Sequence, residues 1–212
     1  MLKKQKTFYL WDMANTLFPE IWDQKKGGCK NYDAYVESLG YNLQTITPKE
    51  YEETYKVPYC EGLFKLNAAK GFKEVLEQTK ENFVFSTGIK EQNDWRAKQL
   101  TPKVGFDVRD YFVHFHSTFD YGNTNEKTAD MLIDILKKKY EDGFTRAVYT
   151  DDKEKNCLFF LDALKQANKL GIKIGANVYK FRGDGSPLKK IGENFFETGN
   201  LFQILENEQK PE

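Results

Sequence analysis

The sequence predicts an α/β fold: a mainly parallel sheet of about five strands, helices on both faces, and one small helical insertion. Three observations carry that expectation. Short apolar, β-branched and aromatic runs alternate with segments of helical period, the pattern of strands joined by crossover helices. The runs lack polar alternation, as strands buried on both faces do. Three of them end in carboxylate or hydroxyl residues, at the strand ends where open α/β sheets receive ligands. At 212 residues the chain suits one well-buried core plus a modest insertion, and is short for two full domains.

The first strand is Thr7-Phe8-Tyr9-Leu10-Trp11, and it stops at Asp12. A carboxylate there needs a partner, because desolvating it costs several kcal/mol. Asp12 therefore reads as functional, or else as a residue opening a turn or capping a helix. Residues 19–66 are polar, Tyr-rich and broken by Gly27-Gly28, Gly40 and Pro48, with helical period at 33–39 and 48–55. They read as an inserted helical subdomain of about 45 residues, leaving 1–18 and 67–212 as the core. Asn67 is placed to cap a helix over 68–80, with Phe72, Val75, Leu76 and Thr79 on one face.

A second strand, Phe83-Val84-Phe85, ends in Ser86-Thr87-Gly88, and the helix after it (91–100) is expected to stop before Pro102. A third strand is expected at 111–115. Thr124 or Asn125 can then cap a helix through Tyr140, with Met131, Leu132, Ile135 and Leu136 at core spacing. The fourth strand, 146–149, ends in Thr150-Asp151-Asp152; its helix runs over 156–170, with Gly171 suited to the position after the C-cap. The fifth strand, 172–179, leads into a Gly-Asp-Gly-Ser-Pro loop and a short helix at 200–205.

Lys plus Arg and Asp plus Glu both number 32, so the net charge is zero. That argues against nucleic acid or a membrane surface held by bulk charge. No segment approaches the ~20 apolar residues that span a bilayer, and the apolar run after the basic start is too short for a signal peptide. Three cysteines, Cys29, Cys60 and Cys157, have no short spacing. They fit reduced thiols in a cytoplasmic protein.

Asp12, Ser86-Thr87 and Asp151-Asp152 are residue types that phosphoryl chemistry needs. Lys127 adds a cation expected in the first turn of a helix, where it opposes the helix dipole and is not chosen by propensity. Together they supply a nucleophile, a hydroxyl, a neutralising ammonium and further carboxylates for Mg²⁺, which favours one or two carboxylates plus phosphate and water.

This set resembles the haloacid dehalogenase (HAD) superfamily over nearly the whole chain. It rests on Asp12-Met13-Ala14-Asn15-Thr16-Leu17-Phe18, on Phe83 through Gly88, on Lys127 within Asn125-Glu126-Lys127-Thr128-Ala129-Asp130, and on Val148 through Asn156. The resemblance implies a Rossmann-like core with a small helical cap of the C1 type at 19–66. It implies Asp12 as nucleophile, Thr87 holding the transferring group with Ser86 as fallback, and Lys127 steadying both. Gly88 and Asn15 join Ser86 as substrate-binding residues. Mg²⁺ is implied at Asp12, Asp152, Asp151 and the backbone carbonyl of Ala14. The substrate implied is a small phosphorylated compound; from the zero net charge neither nucleic acid nor membrane is expected as a partner, and the protein is expected as a monomer or homodimer.

The departure is Ala14. Phosphatases of the superfamily carry a second Asp there as general acid and base, a contribution typically worth 10²–10⁴-fold. Ala at this position is similar to the phosphonoacetaldehyde hydrolase branch, which uses a cap lysine; Lys25, Lys26, Lys30, Lys49 and Lys56 are the candidates, though Asn15 replaces that branch's usual Gly. Dehalogenases also lack the second Asp but do not need Mg²⁺, which Asp151-Asp152 counts against. A degenerate phosphate-binding descendant is a further alternative. Glu20 or Asp23 could stand in for the missing acid. Among the remaining features, His114 and His116 share a strand face and read as packing in preference to a two-His metal site. The Arg182-Gly183-Asp184-Gly185 turn reads as a loop, since no helix follows to cradle phosphate.

Overall fold

A computed structural model describes residues 5–43, 45–88, 90–122 and 126–210. Its main sheet has seven strands in the order β5-β4-β1-β6-β7-β9-β8. These are β1 Thr7–Trp11, β4 Asn82–Ser86, β5 His114–Ser117, β6 Arg146–Asp151, β7 Gly175–Phe181, β8 Lys189–Gly192 and β9 Phe195–Thr198. All neighbours are parallel except β8 and β9. That pair was not expected: the turn after β7 returns as a hairpin, whose half-exposed, charged strands lack the apolar run of a buried strand.

Alternation along β1 divides the core. Phe8 and Leu10 face α6 (Ala129–Glu141) and α7 (Glu154–Lys169), joined by Phe83 and Phe85 of β4 and by Ile135, Leu136, Phe160 and Ala163. Trp11 faces the opposite layer with Val84, where α4 (Phe72–Gln78), α5 (Lys90–Val104) and α8 (Phe202–Glu208) pack. The expected α/β architecture with helices on both faces is therefore present.

Several boundaries differ from the sequence reading, each for a local reason. Asn67 does not cap α4. Its N–H goes to the Pro19 carbonyl, Ala69 binds Leu17, and the helix starts only after Gly71. Gly71 has φ of +82°, and a Cβ there would lie 2.4 Å from Asn200 Oδ1, so only glycine admits the chain leading into α8. The helix α5 runs through Pro102 to Val104. A proline in a last turn forfeits a single bond, and Ala97 and Leu100 hold the helix in the core. The edge strand β5 starts at His114, after a 3-10 turn at Val108–Tyr111. Thr128 caps α6 through Met131 N–H, so Lys127 precedes the helix and does not lie in its first turn; Thr124 and Asn125 lie outside the described residues. The strand β7 begins at Gly175 and α8 at Phe202, both later than expected. Gly171, at φ +88°, ends α7 as expected.

The insertion leaves the core after Phe18. A two-stranded antiparallel ribbon, β2 Glu20–Trp22 with β3 Phe64–Leu66, closes its base. Beyond the ribbon lie α1 (Gln24–Gly27), α2 (Tyr32–Ser38) and α3 (Pro48–Cys60), so the insertion is helical except for this stem. A capping box at Thr47 and Glu50 starts α3. Aromatic packing fills the interior, with Trp22 stacked on Phe64 at 4.6 Å and Tyr55 edge-on to Phe64 at 4.9 Å.

Candidate active site at the carboxyl edge of the sheet

From β1 the chain crosses to β4 and β5 on one side, then returns to β6 and β7 on the other, which makes the carboxyl ends of β1 and β6 the switch point of the sheet. Asp12 follows β1 and Asp151 ends β6. Register holds them together: Trp11 pairs with Thr150, and Asp12 N–H donates to the Thr150 carbonyl at 2.8 Å.

Lys127 lies between them, with Nζ 2.6 Å from Asp12 Oδ1 and 2.6 Å from Asp151 Oδ2. Its side chain has no exposed surface, and neither has that of Asp151. Thr16 Oγ1 donates to the other Asp12 oxygen at 3.1 Å. Asp151 is surrounded by donors: the Tyr149 hydroxyl at 2.8 Å, Lys153 N–H at 2.9 Å and Asn156 Nδ2 at 3.1 Å from both oxygens. Burial pushes the Asp12 carboxyl up to about 6, with the Lys127 ammonium opposing. Burial lowers the Lys127 pKa, but the Asp12 and Asp151 charges outweigh it and raise the ammonium above its usual range. Lys127 thus stays charged between the two carboxylates, and its ammonium opposes the protonation that burial favours at Asp12.

Asp152 differs from its neighbour. It is half-buried and lines the open cavity, and burial, with repulsion from Asp12 and Asp151, pushes its carboxyl up to about 8. One oxygen from each of Asp12, Asp151 and Asp152 lies within 4.8 Å of the others. Both Asp151 oxygens are taken by protein donors, which leaves Asp12 and Asp152 as the hard oxygen donors for a divalent cation of the Mg²⁺ type.

The cavity measures about 760 Å³, and Asp12, Ala14, Asn15, Thr87, Lys127 and Asp152 lie along its core side. Asn15 sits at φ +60°, and its Oδ1 accepts from Glu20 N–H at 3.1 Å, which fixes the turn between Asp12 and the insertion. Ser86 and Gly88, expected beside Thr87, do not line the cavity. Ser86 is buried, its Oγ accepting from Gly88 N–H at 3.1 Å, while the Gly88 carbonyl accepts from Ser117 and Asn93. The chain turns at Ser86, the last residue of β4, and brings Thr87 forward.

Neither carboxylate offered for the missing acid is free to serve. Asp23 caps α1 through Lys25 N–H and does not line the cavity. Glu20 does line it, but accepts from Arg96 Nη2 at 3.0 Å, from the Tyr55 hydroxyl and from Trp22 Nε1 at 3.4 Å. Glu20 and Arg96, 2% and 3% exposed, form a buried pair joining insertion to core. Neither Arg96, Thr16 nor Tyr149 was singled out from the sequence. The two residues within motifs, Thr16 and Tyr149, could have been found there, whereas Arg96 sits in an unremarkable helix.

None of Lys25, Lys26, Lys30, Lys49 and Lys56 lines the cavity; Lys49 and Lys56 pair with Glu53 and Glu52 along α3. The rings of His114 and His116 lie 4.5 Å apart. The metal-ligating cluster found among the described residues is the aspartate group and includes neither histidine. The three cysteines are free, and no helix among the described residues is long and apolar enough to cross a membrane.

The strand order, the insertion directly after β1 and the aspartates gathered around a lysine define a protein of haloacid dehalogenase-type fold. Among solved structures it is similar to the UTR4 protein of Saccharomyces cerevisiae, at 13% identity and TM-score 0.52 over 91% of this chain and 97% of that one. It is also similar to the HAD family enzyme BT-2542 of Bacteroides thetaiotaomicron, solved as a magnesium complex, at 16% identity and TM-score 0.53 over 84% and 94% of the two chains. No protein-family model matches the sequence, and no curated protein matches it significantly.

Proposed function

We propose that the protein is a Mg²⁺-dependent hydrolase of small phosphorylated compounds, working by covalent attack from Asp12. The observation that carries this reading is the buried Lys127 ammonium, 2.6 Å from both Asp12 and Asp151 at the switch point of the sheet. A structural ion pair needs one carboxylate; a second, with a third beside it, suits a site that receives both an anion and a cation.

Asp12 attacks phosphorus, forming an aspartyl phosphate as the bond to the leaving oxygen breaks; attack by water on that phosphorus then releases inorganic phosphate and restores Asp12. Thr16 and Lys127 orient the Asp12 carboxylate. Lys127 also neutralises charge on the phosphoryl group, and the Thr87 hydroxyl donates to one of its oxygens. Asp12, Asp152 and the Ala14 carbonyl would hold Mg²⁺, while Asp151, already bonded by four groups, fixes Lys127. When bound, the ion offsets charge on the phosphoryl oxygens. Residues 19–66 act as the cap over this site. Free thiols suit a reducing compartment such as the cytoplasm.

Ala14 supplies no proton, so turnover is weak for esters with strongly basic leaving groups. The same residue favours one second reading, a phosphate-binding module without turnover. The test is phosphate release from 4-nitrophenyl phosphate with Mg²⁺ or EDTA. Mg²⁺-dependent release that falls about 10³-fold or more in Asp12→Asn supports the enzyme. Release that survives that substitution sinks covalent attack, and phosphate binding without release establishes the module.

A further inference from the structure

We infer that Gln92, with Asn93 and Arg96, recognises a hydroxyl on the substrate's leaving group, which makes the compound taken a hydroxylated alkyl phosphate; this rests on Asp12 and Lys127 being the phosphoryl site. Polar atoms that the fold buries without pairing point to it. Gln92 is 3% exposed and Asn93 is fully buried. Among the described residues neither amide atom of Gln92 has a hydrogen-bond partner, and nor has Asn93 Oδ1. Turning the Gln92 amide over exchanges its nitrogen and oxygen and pairs neither. Folding normally pairs such groups, because leaving them unpaired costs stability. Two adjacent exceptions in one turn of α5 therefore suit a partner from outside the chain.

These atoms gather at one place. Gly88 does not have the left-handed backbone that calls for glycine, so what its missing side chain provides is space. A Cβ there would lie 3.0 Å from Asn93 Oδ1, 3.1 Å from Gln92 Oε1 and 3.1 Å from Arg96 Nη1. This polar recess adjoins the phosphoryl site. Gly88 follows Thr87, and Arg96 is one turn beyond Gln92 on the same face of α5; Thr87 and Arg96 both line the cavity. Gln92 stands behind that wall, and rotation of its unbranched side chain presents the amide between Thr87 and Arg96. The atoms of the recess select the ligand. An amide nitrogen can only donate and the two amide oxygens can only accept, whereas a hydroxyl does both. A carboxylate would meet two oxygens with no proton to give them, and an ammonium would meet the Arg96 guanidinium. Glu20 already neutralises Arg96 at 3.0 Å, so the recess carries no net charge to attract an ion. A leaving group with an alkyl carbon in place of the hydroxyl leaves Gln92 unpaired.

Calorimetry in Mg²⁺ with two phosphonates of equal carbon chain, which have no ester bond to hydrolyse, tests this without relying on turnover. Wild-type protein should bind 3,4-dihydroxybutylphosphonate about tenfold or more tighter than butylphosphonate. Gln92→Met keeps the length of the side chain and removes both unpaired atoms. Its melting temperature without ligand should rise by about 2–4 °C, while its preference for the diol should shrink to about threefold or less. Equal binding of the two compounds by the wild type overturns the inference and leaves the phosphoryl site standing. An undiminished preference in Gln92→Met, or a melting temperature no higher than that of the wild type, overturns the assignment to Gln92. Failure of both compounds to bind removes the phosphoryl-site reading and this inference with it.

Discussion

Replacing Ala14 with Asp should switch on hydrolysis of alkyl phosphomonoesters. Ala14 lies two residues past Asp12, is half-buried and lines the cavity, so a carboxyl group would enter space already open. The turn beneath it is held by Asn15 N–H on the Phe18 carbonyl at 3.0 Å and by Leu17 and Phe18 N–H on Met13, and none of these bonds needs the alanine side chain. A positioned general acid is worth roughly 10²–10⁴-fold, or about 2.7–5.4 kcal/mol of barrier. Repulsion from Asp12 and Asp152 offsets on the order of 1–2 kcal/mol of that at an effective dielectric near 20. The gain in kcat/KM for an alkyl ester should therefore fall near the lower end, about 10²-fold. It should be much smaller for 4-nitrophenyl phosphate, whose leaving group departs without a proton. Both esters would be measured with saturating Mg²⁺, and Ala14→Asn, which fills the same space without an acid, should give no gain. Equal gains on the two esters, or a gain in Ala14→Asn, would refute the account of the missing proton.

Three further outcomes are expected. Lys127→Met strands Asp12 and Asp151 as buried unpaired carboxylates, so urea denaturation should show a loss of about 3–5 kcal/mol, much of it regained when Asp151 becomes Asn; a loss within error would mean that the triad is not buried as described. Asp152→Asn should act with opposite signs in two buffers: in EDTA it relieves the cost of a carboxyl that burial and its neighbours push up to about 8, and raises the melting temperature, while in Mg²⁺ it abolishes the stabilisation the ion confers. The same shift in both buffers would exclude Asp152 as a ligand. Burial first, then the His114 and Lys139 charges, depress the His116 pKa to about 3, so the ring is neutral in the fold. Its contribution is complete above about pH 6.5 and is lost as pH falls toward 3, at up to about 1.4 kcal/mol per pH unit. His116→Gln should flatten the stability profile between pH 6.5 and 4, and an unchanged slope would show that His116 is already hydrated.

The runs Thr7–Trp11 and Asn82–Ser86 were legible as buried strands because both faces of a central parallel strand are covered, leaving no polar alternation to confuse the period. The hairpin β8–β9 was not, since an edge exposed to water carries lysines and a glutamate that read as loop. Local rules rank Pro102 as a helix stop, and packing of Ala97 and Leu100 overrides them.

The sequence by itself determined which residue types stand at the strand ends, and so the class of chemistry proposed for them: Asp12, Thr87, Lys127 and the Asp151-Asp152 pair are local features of their own segments. Tertiary structure decided how they are placed and bonded. It bonded Asp151 to Lys127 and turned Asp152 toward the cavity, brought Thr87 forward and kept Ser86 back, and tied Glu20 to an arginine 76 positions away. Strand and helix signals depend on neighbours along the chain. The ionisation and bonding of a carboxylate depend on the charges that folding places within a few ångströms of it, and no spacing rule in the sequence records those.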